Sequence, residues 1–412
     1  MKILIHSNGP MVPSGYGRQT KLLLGQLSGL GHEVAVSAFY GLSGSAIRWG
    51  DHTILPAGKA DFGTDVLVPH ALTWGADLVI TLMDFWKLAP IADQLAHLNV
   101  AAWLPIDCTP LGRADRYVLE TSHAHPIAMS GFGQRQLRQA GLDSSLVPHA
   151  VDTSIFRPPD DRRKLRQEIG IDDKFVIGIC AANSDAIRKA WPEQFAAFAK
   201  FHQAHPESLL MVHSQAHNPA GFNLEQLAED LGIADSVMMS DSYAQNAGLM
   251  PDEMMASWFG ALDVLSSCSY AEAFGVPMIE AQACGTPVIA TQGSAMAENA
   301  GPGLRVTGQK FWNPVHRAWW IRPNVADITH AYQKIYRASK ENTAAARRKA
   351  FAFGVGFDQE FIAKDSWFPL LERLTPTPVG PRPTRQMVDI PSNVMSSQDP
   401  LENPEAVLVG PE

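Results

Sequence analysis

The sequence predicts an α/β protein built as two Rossmann-like halves. Three observations carry this. Short apolar runs alternate with helical segments in both halves, the strand–loop–helix recurrence that builds parallel sheets. A length of 412 residues suffices for two domains with sizeable cores. Near the middle, Pro158-Pro159 and the charged run Asp160 to Lys164 suit a linker.

Composition narrows the function. Hydrophobic residues make up 46%, as in soluble globular proteins. A net charge of -9 argues against a protein that coats DNA, although a local basic cleft stays open. Cys108, Cys180, Cys268 and Cys284 lack metal-type spacing and read as buried, reduced thiols. Ile3-Leu4-Ile5 is too short for a signal-peptide core, and no apolar stretch is long enough to suggest a membrane span. A cytoplasmic location is therefore expected.

Lys2 to Ile5 reads as the first strand. The next loop holds Pro13-Ser14-Gly15-Tyr16-Gly17-Arg18, ahead of a helix from Gln19 to Leu30. Gly15 and Gly17 suit either an anion-binding turn or plain turn geometry, and the dinucleotide fingerprint is absent. Glu33 to Ala38 is a strand, and Gly41 to Gly63 reads as a strand pair and loop. Ala76 to Thr81 is another strand, with Asp84 beyond its carboxyl end, and Pro90 to Leu98 reads as a helix. Val100 to Asp107 is a strand ending in a carboxylate. Asp107 either faces the cleft or caps the turn at Thr109-Pro110. His125 to Met129 is a strand, and Ser130 can cap the helix Phe132 to Ala140.

Lys174 to Ala181 opens the second half and runs into Ala182-Asn183, then Arg188-Lys189. A helix follows from Pro192 to His202. Arg188 and Lys189 thus sit in a strand-to-helix loop at the sheet's carboxyl edge. Two cations there suit an anionic ligand such as a diphosphate; a solvated basic pair is the plainer alternative. Val237 to Asp241 is a strand and turn. Helices are expected at Pro251 to Ala261, Asp327 to Arg337, Asn342 to Ala352 and Phe357 to Leu374. The last has Phe361, Trp367, Phe368 and Leu371 as apolar positions. The aromatic span Phe311 to Trp320 reads as an excursion that covers the cleft, meets a partner or simply packs. The tail, 375–412, is rich in Pro, Ser, Asn and Asp and reads as mobile.

The chain is organised around the stretch Ala271 to Ala290. Asp263-Val264-Leu265 ends a strand, Met278 to Ala283 is a short helix ended by Gly285, and Pro287 to Ala290 starts the next strand. Glu272 lies in the loop at the first strand's carboxyl end, where open α/β sheets bind ligands. Glu280 lies inside the helix. On spacing alone, both also fit ordinary surface carboxylates.

Glu272 and Glu280, with Phe274-Gly275-Val276 between them and Gly285-Thr286-Pro287-Val288 after, resemble the donor-site signature of the retaining glycosyltransferases of family 4. Leu30-Gly31-His32-Glu33-Val34 and Pro148-His149-Ala150-Val151-Asp152 resemble two further stretches of that family, with His149 for Asn and Ala150 for Gly. The likeness covers roughly residues 1–372. It implies the GT-B architecture: an acceptor-side domain at 1–160, a donor domain at 161–355, and a final helix at 356–374 that crosses back to the first. It implies transfer of a sugar from a nucleoside-diphosphate sugar, with uridine the expected base, to a hydroxyl acceptor. Glycan, lipid, small-molecule and protein acceptors all stay open, modified DNA less so, as does peripheral membrane contact. By the same resemblance Arg188 and Lys189 neutralise the diphosphate, although the family usually spaces its two cations. Glu272, Asp107 and the backbone of Phe274, Gly275 and Val276 hold the sugar. Glu280 takes the ribose, while Gly15, Tyr16, Gly17, Asn183 and Asp241 border the donor. No prosthetic group and no divalent metal is expected. The rival readings are a nucleotide-sugar epimerase or other enzyme of this architecture, and a non-catalytic binding protein.

Overall fold

The computed structural model describes residues 1–374, so the expected tail lies outside the described residues. The first sheet contains β1 (Lys2–Asn8), β2 (Glu33–Tyr40), β3 (Ile47–Trp49), β4 (His52–Leu55), β5 (Leu78–Leu82), β6 (Val100–Leu104), β7 (His125–Ala128) and β8 (Ser145–Leu146). Their order is β3-β4-β2-β1-β5-β6-β7-β8; β3 runs antiparallel to β4, and the other neighbours are parallel. Helices cover both faces, so β5 and β6 are buried throughout and read as apolar runs without alternation. Chain order reverses between β1 and β5. The crevice beyond their carboxyl ends is a natural ligand site.

The second sheet repeats this plan with β9 (Phe175–Cys180), β10 (Ser208–His213), β11 (Val237–Met239), β12 (Val264–Ser267), β13 (Val288–Thr291) and β14 (Leu304–Val306). Its order, β11-β10-β9-β12-β13-β14, reverses between β9 and β12, and every pair is parallel. Loops 181–190 and 268–275 therefore meet at this second switch point. The two sheets are separate, as two Rossmann-like domains require.

The final segment does return to the first domain. Trp367 packs edge-on against Trp103, with ring centroids 5.1 Å apart. Gln26 Nε2 donates to the Gln359 carbonyl at 2.8 Å, and Val151 N donates to the Phe357 carbonyl at 2.9 Å. The segment is not the single helix expected. Helical turns Gln359–Ile362 and Phe368–Leu374 flank a π-helical turn, Ala363–Trp367. The wider turn sets Trp367 inward, while Phe361 and Phe368 face solvent.

Three other elements differ from expectation. Helix Gly15–Gly29 starts four residues early because Ser14 Oγ accepts from Gly17 N at 3.1 Å. Gly15 and Gly17 thus lie inside the first turn, and a Cβ on Gly17 would meet the Val12 carbonyl at 2.2 Å. The helices expected at 327–337 and 342–352 are one, Val325–Gly354, since no Gly or Pro interrupts the segment between them. In place of the helix expected from Pro90 to Leu98, Pro90 lies inside a 3₁₀ stretch, Phe85–Ile91, followed by one α turn, Ala92–Leu95.

The aromatic span forms a hairpin of β15 (Gly308–Asn313) and β16 (Ala318–Pro323), with Phe311 opposite Trp320 and Trp312 opposite Trp319. Arg322 Nε and Tyr270 OH both donate to Glu193 Oε1 at 2.8 Å, which seats the hairpin on the second domain. Its far strand reaches the first domain. Trp319 N donates to the Thr109 carbonyl at 2.8 Å, and Thr109 N to the Trp319 carbonyl at 3.2 Å.

Candidate active site

The loop after β9 is folded by Asp185, whose Oδ1 accepts from Ile187 N at 2.7 Å and Arg188 N at 2.8 Å. Ala190 then takes a left-handed conformation, φ 52°, and starts the helix Trp191–Ala204. Tyr270 N donates to the Arg188 carbonyl at 2.7 Å and so joins this loop to the one after β12. Glu272 sits between the two cations. Arg188 Nη1 lies 2.9 Å from its Oε2, and Lys189 Nζ lies 2.5 Å from its Oε1. Burial would raise the Glu272 carboxyl, but Lys189 and Arg188 overcome it and hold it down at about 2. Burial and the neighbouring Arg188 lower the Lys189 ammonium. Burial acts against the Arg188 guanidinium, but Glu272, Asp107 and Asp185 raise it, so it keeps its charge for an arriving anion.

The loop after β12 is held by Glu272 N, which donates to Ser294 Oγ at 3.0 Å. Gly275 adopts φ +86° at the head of helix Val276–Ala283, a conformation that disfavours a side chain. Phe274 is buried, with its ring edge-on to His149 at 5.2 Å and its carbonyl accepting from Asn299 Nδ2 at 2.8 Å. Glu280 is 4% exposed, and burial raises its carboxyl. Its cation comes from the other domain: Arg18 Nη1 lies 3.4 Å from Glu280 Oε1, and Arg18 Nη2 lies 3.2 Å from Asp252 Oδ1.

The first domain contributes Tyr16 from the first turn of helix Gly15–Gly29, after β1, and Asp84 and Asp107 from loops at the carboxyl ends of β5 and β6. Asp107 Oδ1 accepts from Trp320 Nε1 at 3.2 Å. Burial raises the Asp107 carboxyl, with Arg188 and His316 opposing it. Burial likewise raises Asp84 against Arg188, His316 and Lys87. The Tyr16 phenol is pushed up by burial and by Asp84, and it also feels Arg188, Asp107 and Glu272. Five of the expected residues, Tyr16, Asp107, Arg188, Lys189 and Glu272, thus form one electrostatic cluster across the cleft.

Other expected residues stand apart from it. Asn183 is buried and braces a loop, donating from Nδ2 to the carbonyls of Gln215 at 3.0 Å and Phe222 at 2.7 Å. Asp241 is exposed and caps helix Ser242–Asn246 through Ala244 N at 2.6 Å. Gly15 is exposed in its helix turn. Sequence reasoning missed Arg18, Asp115, His149 and His316 as site neighbours. Arg18 followed directly on the Gly-rich turn, which was the available signal. His149 is 4% exposed, and burial lowers its imidazole to about 3, so it packs as a neutral ring between Trp103 and Phe274. Three cysteines are buried as expected, but Cys180 is only half-buried. Among the described residues no group of His, Cys, Asp and Glu is arranged to hold a metal ion, and no helix is long and apolar enough to cross a membrane.

Comparison with known proteins adds to this geometry. Residues 161–346 match the family model "Glycosyl transferases group 1". The D-inositol 3-phosphate glycosyltransferase of Streptomyces scabiei is 34% identical over 228 residues, 53% of this chain and 48% of that protein. Its namesake in Segniliparus rotundus is 33% identical over 150 residues, 36% of this chain and 31% of that protein. The chain thus spans about a third to a half of the curated relatives it matches. Among solved structures, sucrose-phosphate synthase from Thermosynechococcus elongatus superposes with a TM-score of 0.69 at 19% identity, covering 90% of this chain and 98% of that one. Anabaena HepE in complex with UDP and glucose gives 0.63 at 18% identity, covering 91% and 99%. At such identities the structural likeness speaks for the fold, which is GT-B.

Proposed function

We propose that the chain, whose residues 161–346 match the glycosyl transferases group 1 family, is a member of it and transfers a sugar from a nucleoside-diphosphate sugar to a hydroxyl acceptor with retention at the anomeric carbon. The observation that carries this is the convergence of Arg188 and Lys189 on Glu272 at the second sheet's switch point. Glu280 lies eight positions further along the same loop and helix. The arrangement supplies what the reaction needs. Arg188 and Lys189 take the diphosphate and stabilise the charge it gains on leaving. Glu272 and Asp107 hold the sugar, and Glu280 accepts from the ribose hydroxyls once Arg18 yields. The acceptor oxygen bonds to the anomeric carbon on the face from which the phosphate oxygen departs. That phosphate oxygen receives the hydroxyl proton, so no further base is required.

In this reading transfer needs no divalent ion, and uridine is the expected base. A titration series tests the donor site: Arg188→Ala or Lys189→Ala weakens nucleoside diphosphate binding and leaves nucleoside binding nearly unchanged. Equal loss for both ligands overturns the assignment. Activity in excess chelator tests metal independence, and dependence on added Mg²⁺ refutes it. Product analysis over a panel of nucleotide sugars separates transfer from epimerisation and from binding without turnover.

A further inference from the structure

A cavity of about 200 Å³ opens beside the cluster. Asp107 and Thr109 of the first domain, Tyr270 and Ser294 of the second, and Trp319 and Trp320 of the hairpin line it. Ser294 also accepts the Glu272 backbone N–H at 3.0 Å, so the cavity shares a wall with the loop assigned to the donor sugar. The indole of Trp320 is nearly buried and fixes Asp107 by its 3.2 Å hydrogen bond. Trp319 is 37% exposed and is backed by Trp312, ring centroids 4.9 Å apart, which stiffens it as a flat apolar wall. Among the described residues Asp107, which stands between this cavity and the place proposed for the donor sugar, is the one charged residue in the lining.

These features select a ligand class. A pyranoside offers an apolar C–H face to an indole and hydroxyl donors to a carboxylate. A phosphorylated sugar would meet the Asp107 carboxyl, and Arg188, the cation that acts on Asp107, is already paired with Glu272. We infer that this cavity is the acceptor subsite, that the hairpin β15–β16 sets its specificity, and that it takes an uncharged pyranoside rather than a phosphorylated one. The inference rests on the glycosyltransferase reading above. It sets this chain apart from the matched relatives, which are named for a phosphorylated inositol.

The test uses the full chain with the nucleoside-diphosphate hexose that stabilises it most in a thermal-shift panel. Acceptor probes are p-nitrophenyl glucosides, galactosides and mannosides, each with its 6-phosphate. Transfer to at least one neutral glycoside is expected, with kcat/KM at least about tenfold above that for its 6-phosphate. Trp319→Ala should raise the acceptor KM about tenfold and move the donor KM less than about twofold, while Trp319→Phe recovers most of the loss. Equal or better use of the 6-phosphates overturns the inference. A donor KM that rises as much as the acceptor KM does so too, since the cavity then holds the donor's own sugar. Donor hydrolysis without transfer to any glycoside sinks the inference alone. Absence of both donor binding and turnover sinks the glycosyltransferase reading, and the inference with it.

Discussion

Glu272→Gln is expected to weaken the protein and yet tighten its hold on a nucleoside diphosphate. The amide keeps the shape and removes the charge that Arg188 and Lys189 share. The side chains of Glu272 and Lys189 are 13% and 11% exposed, and that of Arg188 is 29% exposed. Burial acts to raise the Glu272 carboxyl, yet the two cations hold it at about 2 against an ordinary 4.5. At neutral pH that difference corresponds to roughly 3 kcal/mol, discounted to about 2 because Arg188 is partly solvated. The donor domain of the variant should then melt roughly 4–8 °C lower in the absence of ligand. The sign of the pH dependence follows from a depressed acid. Its contribution is full above 4.5 and is lost as pH falls from there towards 2, so the gap between the two proteins narrows in acid. With the carboxylate gone, a diphosphate no longer competes for the cations, and its dissociation constant should fall about tenfold. Turnover should fall as well, because the sugar loses its carboxylate. Calorimetric titration with UDP, GDP and ADP, beside melting curves with and without them, reads both effects. A variant that binds all three more weakly than wild type would refute the idea that Glu272 stands in for the diphosphate.

Three further outcomes are expected. Glu280→Gln should chiefly raise the donor KM, because a carboxylate–diol contact is present in substrate and transition state alike; lowered turnover at unchanged KM would reverse the two glutamates' roles. Arg18→Met removes both of its contacts to the second domain, at 3.4 and 3.2 Å. Burial, now less opposed, should raise Glu280 further, so donor affinity should fall more steeply than in wild type as pH drops from 8 to 6; superimposable pH profiles would discount the pairing. Burial, then Asp84, raises the Asp115 carboxyl from 3.8 to about 8, so the folded chain keeps a proton that the unfolded chain releases. That costs stability increasingly as pH rises from 3.8 to 8. Asp115→Asn should therefore melt higher than wild type at pH 8 and about equally near pH 4, and a gap independent of pH would contradict the assignment.

The parts of the site that were legible in the sequence are those built within one strand–loop–helix unit. Glu272 and Glu280 share one such unit, and Arg188-Lys189 occupy another. Local chemistry fixed them there: Asp185 folds its loop, and Gly275 turns the next. Asp107 was placed by its strand end, but its partner was not. Trp320 lies 213 positions away, and only the packed hairpin brings the two together. Arg18 and Glu280 are 262 positions apart, and no periodicity announces a contact between lobes. Helix Gly15–Gly29 was within reach, since Ser14 followed by small residues is a capping signal; the glycines were weighed as turn formers instead. At Asn183 and Asp241 the resemblance alone implied a place beside the donor, whereas their side chains brace a loop and cap a helix.

The bridge between Thr109 and Trp319 has a mechanical consequence. The covalent crossings between lobes lie side by side, where Val151 N meets the Phe357 carbonyl and Gln359 N meets the Val151 carbonyl at 3.0 Å. They form one hinge. The hairpin adds a clasp beside Asp107, made of two backbone hydrogen bonds. Opening the lobes means undoing the clasp, at a net cost of about 1 kcal/mol for each bond, together with the Trp320–Asp107 hydrogen bond and the Arg18 ion pairs. Two peptide groups that take no part in bond making thus join the contacts that must part before a product held between the lobes can leave.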